Sequence, residues 1–490
     1  MPHHVTTSFG ALQGAPADGG VTAYLGVPYA AAPIGSRRFQ LPQPPQRWDG
    51  VRPAQQNGFS PLQGGPTPGR VVADLSCPAQ DEDCLNLNIW TPAPDPQARL
   101  PVLVWIYGGA FVTGSNSVPA YNGARLAARG VVVVGLNYRL GVLGWLRCPS
   151  IGASGNQGLA DQRAALAWVQ QEIAAFGGDP VNVTVFGESA GAASIAMHLA
   201  AGETSGFRRA ILQSGSYNLA ASVDEADDAA ARVLDHLGVT PQDLVSLPPA
   251  ALIEAQDVAT PRSAGVFYRP VTDGDLVPED PAAKLTQGVD VPVICGTNRH
   301  EMGFFWGRDE RFDEVSDQFL TAMVGRWSNH PVEVIETYRR ARRVSQEPTD
   351  IRSLAVAIGS DWTFRAASMA LAGWQSTGAG SHAYRFDWES PLFDGLVGAA
   401  HVLEVPFVFS TYAHPTVASF TGTKLRPDQA AALSEEVAAA WVGFARSGDP
   451  GWPRYNLQAR PTRVFGGSTT ILNGPNRIEL DLWDPRDLHR

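Results

Sequence analysis

One serine in this chain sits where the backbone has almost no freedom. The run Val181-Asn182-Val183-Thr184-Val185-Phe186 alternates as a strand does, and Ala190 to Ala200, rich in Ala, Ile, Met and Leu, reads as a helix. Between them stands Gly187-Glu188-Ser189-Ala190-Gly191. A strand that turns into a helix this abruptly tolerates only residues without bulk on either side, and it lifts the serine hydroxyl clear of the sheet. This is the pattern of a nucleophile elbow. The helix that follows adds positive potential where an oxyanion would form. No second G-x-S-x-G occurs in the sequence.

An elbow needs a sheet to sit on. Val102-Leu103-Val104-Trp105-Ile106-Tyr107 and Val131-Val132-Val133-Val134 read as strands apolar on both faces, as in a covered, mostly parallel sheet. Leu159 to Ala175 has helical spacing and stops at Phe176-Gly177-Gly178-Asp179-Pro180. Arg209 to Leu212, Val291 to Cys295 and Ala383 to Phe386 are later strand candidates. This rhythm predicts an α/β fold with helices on both faces of the sheet. Polar stretches from about Val223 to Thr260 and Arg308 to Arg352 read as helical insertions over a pocket at the strands' carboxyl ends. Nothing resembles an interdomain linker, so one domain over residues 1–490 is expected.

Composition narrows the partners. The formal charge of −11 is spread without long blocks, which disfavours nucleic acid or an anionic membrane as partner. No apolar run reaches membrane-spanning length, and Met1 to Thr6 lacks the pattern of a signal peptide. Cys77, Cys84, Cys148 and Cys295 show no metal-ligand spacing, so free thiols in a cytoplasmic setting are expected. Only Lys284 and Lys424 are lysines, which with abundant Ala, Gly and Pro suggests a bacterial genome of high GC content.

A serine hydroxyl needs a base, a group that orients the base, and donors for the oxyanion. On a sheet of this type the chain order is serine, acid, histidine. His401, in the small-residue loop Gly398-Ala399-Ala400-His401, is the strongest base candidate; His300, His382 and His414 are poorer. Glu301, in the loop after the Val291 strand, is the acid candidate, with Asp273 a rival that looks like a turn residue. Gly108-Gly109-Ala110-Phe111 follows the Val102 strand directly, and its bare backbone lets amides approach a ligand. Together with the amide of Ala190 it would form the oxyanion hole.

At this point a family likeness is evident. Glu82-Asp83-Cys84-Leu85-Asn86-Leu87-Asn88-Ile89-Trp90 resembles the E-D-C-L-x-L-N-I signature of type-B carboxylesterases, the cholinesterase and carboxylesterase family. Trp105 to Phe111, Asn137 to Gly141, Gly155 to Gly191, Gln213 to Gly215, Gly398 to Phe409 and Phe444 to Pro450 resemble the same family, most closely its bacterial para-nitrobenzyl-esterase-like branch. The resemblance implies an α/β-hydrolase fold and a triad of Ser189, Glu301 and His401. It further implies oxyanion donors at Gly109, Ala110 and Ala190, a buried glutamate at Glu188 and a supporting serine at Ser214. Arg38 with Glu82, and Arg139 with Asp161, match structural ion pairs of the family. The family cysteine matched by Cys84 usually bonds one near Phe59 to Gly64, where this chain has none; Cys77 could close a substitute loop, but free thiols are expected. Ala73-Asp74-Leu75-Ser76 lacks the tryptophan with which cholinesterases hold a quaternary ammonium, which argues against acetylcholine.

The resulting expectation is a serine carboxylesterase acting through an acyl-enzyme, without metal or organic cofactor. Phe111, Phe304 and Phe305 are expected to line an apolar pocket for uncharged esters of short or medium acyl chain. The Gly-Gly-Ala-Phe loop resembles that of esterases accepting bulky, including tertiary, alcohols. Two alternatives stand beside this: a silent binding module on the same fold, and an amidase or carbamate hydrolase on the same machinery. With His401 as neutral base, activity should rise with pH through roughly 6.5 before any environmental shift.

Overall fold

The computed structural model describes residues 3–64, 77, 79–260, 266–306, 316–466 and 470–488. Its frame is an eleven-stranded sheet. In chain order the strands are β1 (Ala15–Ala17), β2 (Val21–Pro28), β3 (Asn86–Thr91), β4 (Leu100–Ile106), β5 (Val132–Leu136) and β6 (Gly178–Glu188). They continue with β7 (Arg209–Gln213), β8 (Val293–Asn298), β9 (Ser381–Phe386), β10 (Pro461–Phe465) and β11 (Thr470–Asn473). Across the sheet the order is β11-β10-β9-β8-β7-β6-β4-β5-β3-β2-β1. Strands β4 to β10 run parallel, and antiparallel strands close both edges.

Every residue of β5, β7, β8 and β9 is buried. Side chains alternate across a strand, so complete burial means that both faces of the sheet are covered. The β-branched runs seen in the sequence supply this two-sided core. Helix α1 (Gln157–Glu172) leads into β6 through a short 3₁₀ turn, Ile173–Phe176, and α2 (Ala190–Ala200) leaves it. The left-handed Gly177, at φ 83°, ends that turn where the sequence placed a stop.

Helices α3 (Val223–Leu237) and α4 (Pro249–Ala259) occupy the first insertion. The second holds α5 (Asp317–Val324), α6 (Pro331–Val344) and the start of α7 (Ile351–Ser360), while 308–315 lie outside the described residues. A π-helical turn, Asp361–Arg365, joins α7 to α8 (Ala366–Gln375), and α9 (Pro427–Ser447) is the longest helix described. Among the described residues no helix is long and apolar enough to cross a membrane.

The ion pairs implied by the family are present. Arg139 is bidentate to Asp161 at 2.8 and 2.7 Å, and Arg38 to Glu82 at 2.6 and 2.9 Å. Cys84, Cys148 and Cys295 are buried free thiols, so no bond closes a loop from Cys77 to Cys84.

Candidate active site

Four chain segments converge at the carboxyl ends of the central parallel strands. β6 delivers Ser189, β4 the Gly108–Phe111 loop, β8 the loop to Glu301, and the segment after β9 carries His401. Such a crevice is where ligands bind in open α/β sheets.

Ser189 stands at φ 54°, ψ −120°, a conformation costly for any side-chain-bearing residue. The flanking glycines permit it. A Cβ on Gly191 would lie 1.9 Å from the carbonyl oxygen of Ile106, and one on Gly187 would lie 2.8 Å from the Gly191 carbonyl carbon. The Ser189 amide donates to the Gln213 carbonyl of β7 at 2.8 Å, which anchors the turn.

The neighbouring loop is equally unusual. Gly109, Ala110 and Phe111 all have positive φ, at 107°, 54° and 62°. The Gly109 carbonyl accepts from the Val112 and Thr113 amides and from Thr113 Oγ1, at 3.1, 3.0 and 3.1 Å. This fixes the orientation of its peptide. Among the described residues the amides of Gly109 and Ala110 have no protein acceptor. Ala190 opens α2, where an amide lacks an intrahelical partner by geometry. The three amides named from sequence are therefore available donors.

His401 and Glu301 are in direct contact. Nδ1 of His401 lies 2.6 Å from Oε2 of Glu301. The other carboxylate oxygen, Oε1, accepts from Ser214 Oγ and from the Asn298 amide, each at 2.6 Å. Both residues are buried. Nε2 of His401 is 3.0 Å from Oε1 of Glu188, and no hydrogen bond among the described residues joins it to Ser189 Oγ.

Charges gather tightly here. Burial pushes Glu188 well above the ordinary carboxylate range; His401 opposes this, and Glu404 and Glu301 reinforce it. Burial disfavours the imidazolium of His401, but Glu188, Glu301 and Glu404 outweigh burial and raise it to about 9. The unshifted value expected from sequence is thus displaced upward.

Two residues at this centre were not singled out in the sequence. Glu404 is fully buried and accepts from Gln213 Nε2 at 3.0 Å and Asn298 Nδ2 at 2.6 Å. Phe364, on the π-helical turn, places its ring centroid 4.5 Å from that of His401. Glu404's signal was its place three residues after His401 in an apolar segment. Phe364 carries no local signal.

The aromatic candidates separate. Phe305 and Phe304 lie 5.3 and 6.2 Å from the imidazole, and Phe305 is partly exposed. Phe111 differs from expectation: its ring is fully buried, edge-on to Trp145 at 4.8 Å, so its side chain packs in the core. Its backbone serves the loop, while its side chain anchors it. The rival acid Asp273 accepts the amides of Asp275 and Val277 at 3.1 and 3.0 Å, a turn role. Ala73 to Ser76 lie outside the described residues.

An eleven-stranded, mostly parallel sheet with a serine elbow, a loop of positive φ on the adjacent strand and a histidine–glutamate pair defines an α/β-hydrolase. Within that class the chain belongs to the carboxylesterase family, whose profile matches residues 1–466. Para-nitrobenzyl esterase of Bacillus subtilis (strain 168) is 36% identical over 501 residues, covering 97% of each chain. Phenmedipham hydrolase of Pseudarthrobacter oxydans is 33% identical, covering 94% of each. Among solved structures, a carboxylesterase of Geobacillus stearothermophilus superposes with a TM-score of 0.87 at 37% identity, covering 98% of this chain and all of that one.

Proposed function

We propose that this carboxylic ester hydrolase cleaves uncharged esters of short or medium acyl chain through an acyl-enzyme formed on Ser189. The observation that carries this reading is the closed Glu301–His401 contact of 2.6 Å beside an elbow serine at φ 54°. Neutral His401 takes the Ser189 proton on Nε2 as Oγ attacks the ester carbonyl. The carbonyl π pair moves to oxygen, and the amides of Gly109, Ala110 and Ala190 hold the oxyanion. As the tetrahedral intermediate collapses, His401 gives its proton to the departing alcohol. Water, deprotonated by the same nitrogen, then attacks the acyl-enzyme; as this second intermediate collapses, His401 returns the proton to Ser189 Oγ, releasing the acid and the free serine. Glu301 keeps Nδ1 protonated and offsets the imidazolium charge throughout.

In this cycle Nε2 swings between Glu188 and the adjacent Ser189. Catalytic hydrogen bonds are often loose in unliganded enzymes and tighten with substrate. Phe304, Phe305 and Phe364 offer an apolar wall without charge beside the base, which favours uncharged acyl groups. The buried thiols of Cys84, Cys148 and Cys295 support residence in a reducing, cytoplasmic compartment.

Hydrolysis of para-nitrophenyl butyrate by wild type and Ser189→Ala, with fluorophosphonate labelling of both, tests the proposal. Turnover and labelling confined to wild type are expected. A wild type that neither turns over nor labels would overturn it in favour of a binding module. Faster cleavage of matched anilides than of phenyl esters would move the chain to the amidases.

A further inference from the structure

Glu301 and His401 work as a pair only if the loops carrying them keep a fixed spacing. The acid loop, Thr297 to Glu301, and the base loop, Gly398 to His401, are laced together by backbone and side-chain hydrogen bonds. The His401 amide donates to the Glu301 carbonyl at 3.3 Å, and Asn298 Nδ2 donates to the Ala400 carbonyl at 2.6 Å. His300 adds a closed bracket between them. Its amide donates to the Ala399 carbonyl at 2.8 Å, and its Nδ1 accepts from the Ala399 amide at 3.2 Å. One residue of the acid loop thus grips both polar groups of a single residue of the base loop.

The approach is close enough to constrain the neighbouring position. Gly398 has φ 62°, and a Cβ there would lie 2.6 Å from His300 Nδ1. Glycine is required on both counts. An Nδ1 that accepts must be unprotonated, so the ring proton sits on Nε2. Burial, joined by Arg299, Arg342, Arg365 and Arg385, lowers His300 to about 3, so the acceptor persists across the working range.

We propose that His300 is a positioning residue: its Nδ1 holds the Ala399 amide and so fixes His401 against Glu301. The inference rests on the roles given to Ser189, Glu301 and His401 above. It predicts more than a stability effect, because the Glu301 contact also sets the proton affinity of His401. The other groups facing that imidazole are the carboxylates of Glu188 and Glu404 and the rings of Phe304, Phe305 and Phe364, none of which His300 bonds.

The test compares His300→Asn, whose Oδ1 replaces Nδ1 as acceptor, with His300→Phe, which keeps a ring without one. Turnover of para-nitrophenyl butyrate is followed against pH, with active sites counted by fluorophosphonate labelling and folding checked by Tm. For His300→Phe, kcat should fall about tenfold to a hundredfold, the scale of a misplaced catalytic group. KM should hold, and the rising limb of the pH profile should move to lower pH as the Glu301 contact loosens. His300→Asn should keep the wild-type kcat and limb. A folded His300→Phe with wild-type kcat and limb, or a His300→Asn as impaired as His300→Phe, would overturn the inference. Should His300→Phe fail to fold, His300→Gln, whose amide extends past the Nδ1 position, stands in for it with the same expectations. Ser189→Ala, assayed alongside, keeps the tests apart: if it stays active the triad reading fails, whereas an inactive Ser189→Ala beside an unaffected His300 variant removes only the positioning role.

Discussion

At the scale of single residues, the centre is governed by where one proton resides. Glu188 and His401 face each other at 3.0 Å, and each is raised, so they titrate as a pair. In the proposed cycle His401 must be neutral to accept the Ser189 proton. A raised His401 holds its own proton to higher pH, so activity should climb with pH along a limb displaced above 6.5 toward about 9. Glu188→Gln removes one of the carboxylates that raise the imidazole, so its limb should shift to lower pH. Profiles of kcat/KM against pH for both proteins check this, and a limb unmoved in the variant would contradict it. Sterics are just as local. Gly191→Ala puts a methyl 1.9 Å from the Ile106 oxygen, so the elbow must shift. We expect a stability loss of about 1–3 kcal/mol in urea unfolding, the cost typical of overpacking, together with loss of turnover.

At the scale of elements, the π-helical turn Asp361–Arg365 does two things at once. It aims Phe364 at the imidazole and turns Arg365 toward the acid loop, where Nη2 donates to the Asn298 and Arg299 carbonyls at 3.0 and 2.7 Å. Arg365 also pairs with buried Asp361, which accepts from Tyr338 at 2.8 Å. Arg365→Met leaves Asp361 without its partner, so a loss of about 3–5 kcal/mol is expected from thermal or urea unfolding. A change near zero would mean that Tyr338 alone satisfies the carboxylate. This turn also marks the limit of what the sequence discloses. The elbow, the Gly-Gly-Ala loop and Glu301 were legible because each needs a local device: glycines at a bend, or an acid just past a strand. Phe364 was not legible, since an extra residue in a helical turn leaves no compositional trace and its contact with His401 spans distant sequence. Phe111 misled for a related reason. An aromatic residue beside bare glycines looks like a pocket wall, and only packing against Trp145 reveals the ring as an anchor.

At the scale of the whole molecule, stability comes from a sheet buried on both faces, without covalent reinforcement. The central strands were recognised from their apolar runs. The antiparallel β2 and β3 were not, because their residues mix polar and apolar side chains and are buried by neighbouring elements. With Cys84 a free thiol, dithiothreitol should leave Tm unchanged, and a fall in Tm on reduction would reveal a crosslink. Burial pushes the Cys84 and Cys295 thiols far above their ordinary range, so thiol reagents should label them only after unfolding.

The register between β4 and β6 has a wider consequence. Phe186 pairs with Trp105 and Gly187 with Ile106, so the serine and the Gly109–Ala110 amides leave the sheet side by side at a spacing set by backbone hydrogen bonds. A slip of one residue would displace them by about 3.3 Å and turn every side chain to the opposite face, which a two-sided core forbids. The sheet therefore acts as a ruler whose graduations are the strand residues themselves. Lengthening or shortening the insertions between the strands leaves the spacing between Ser189 and these amides untouched.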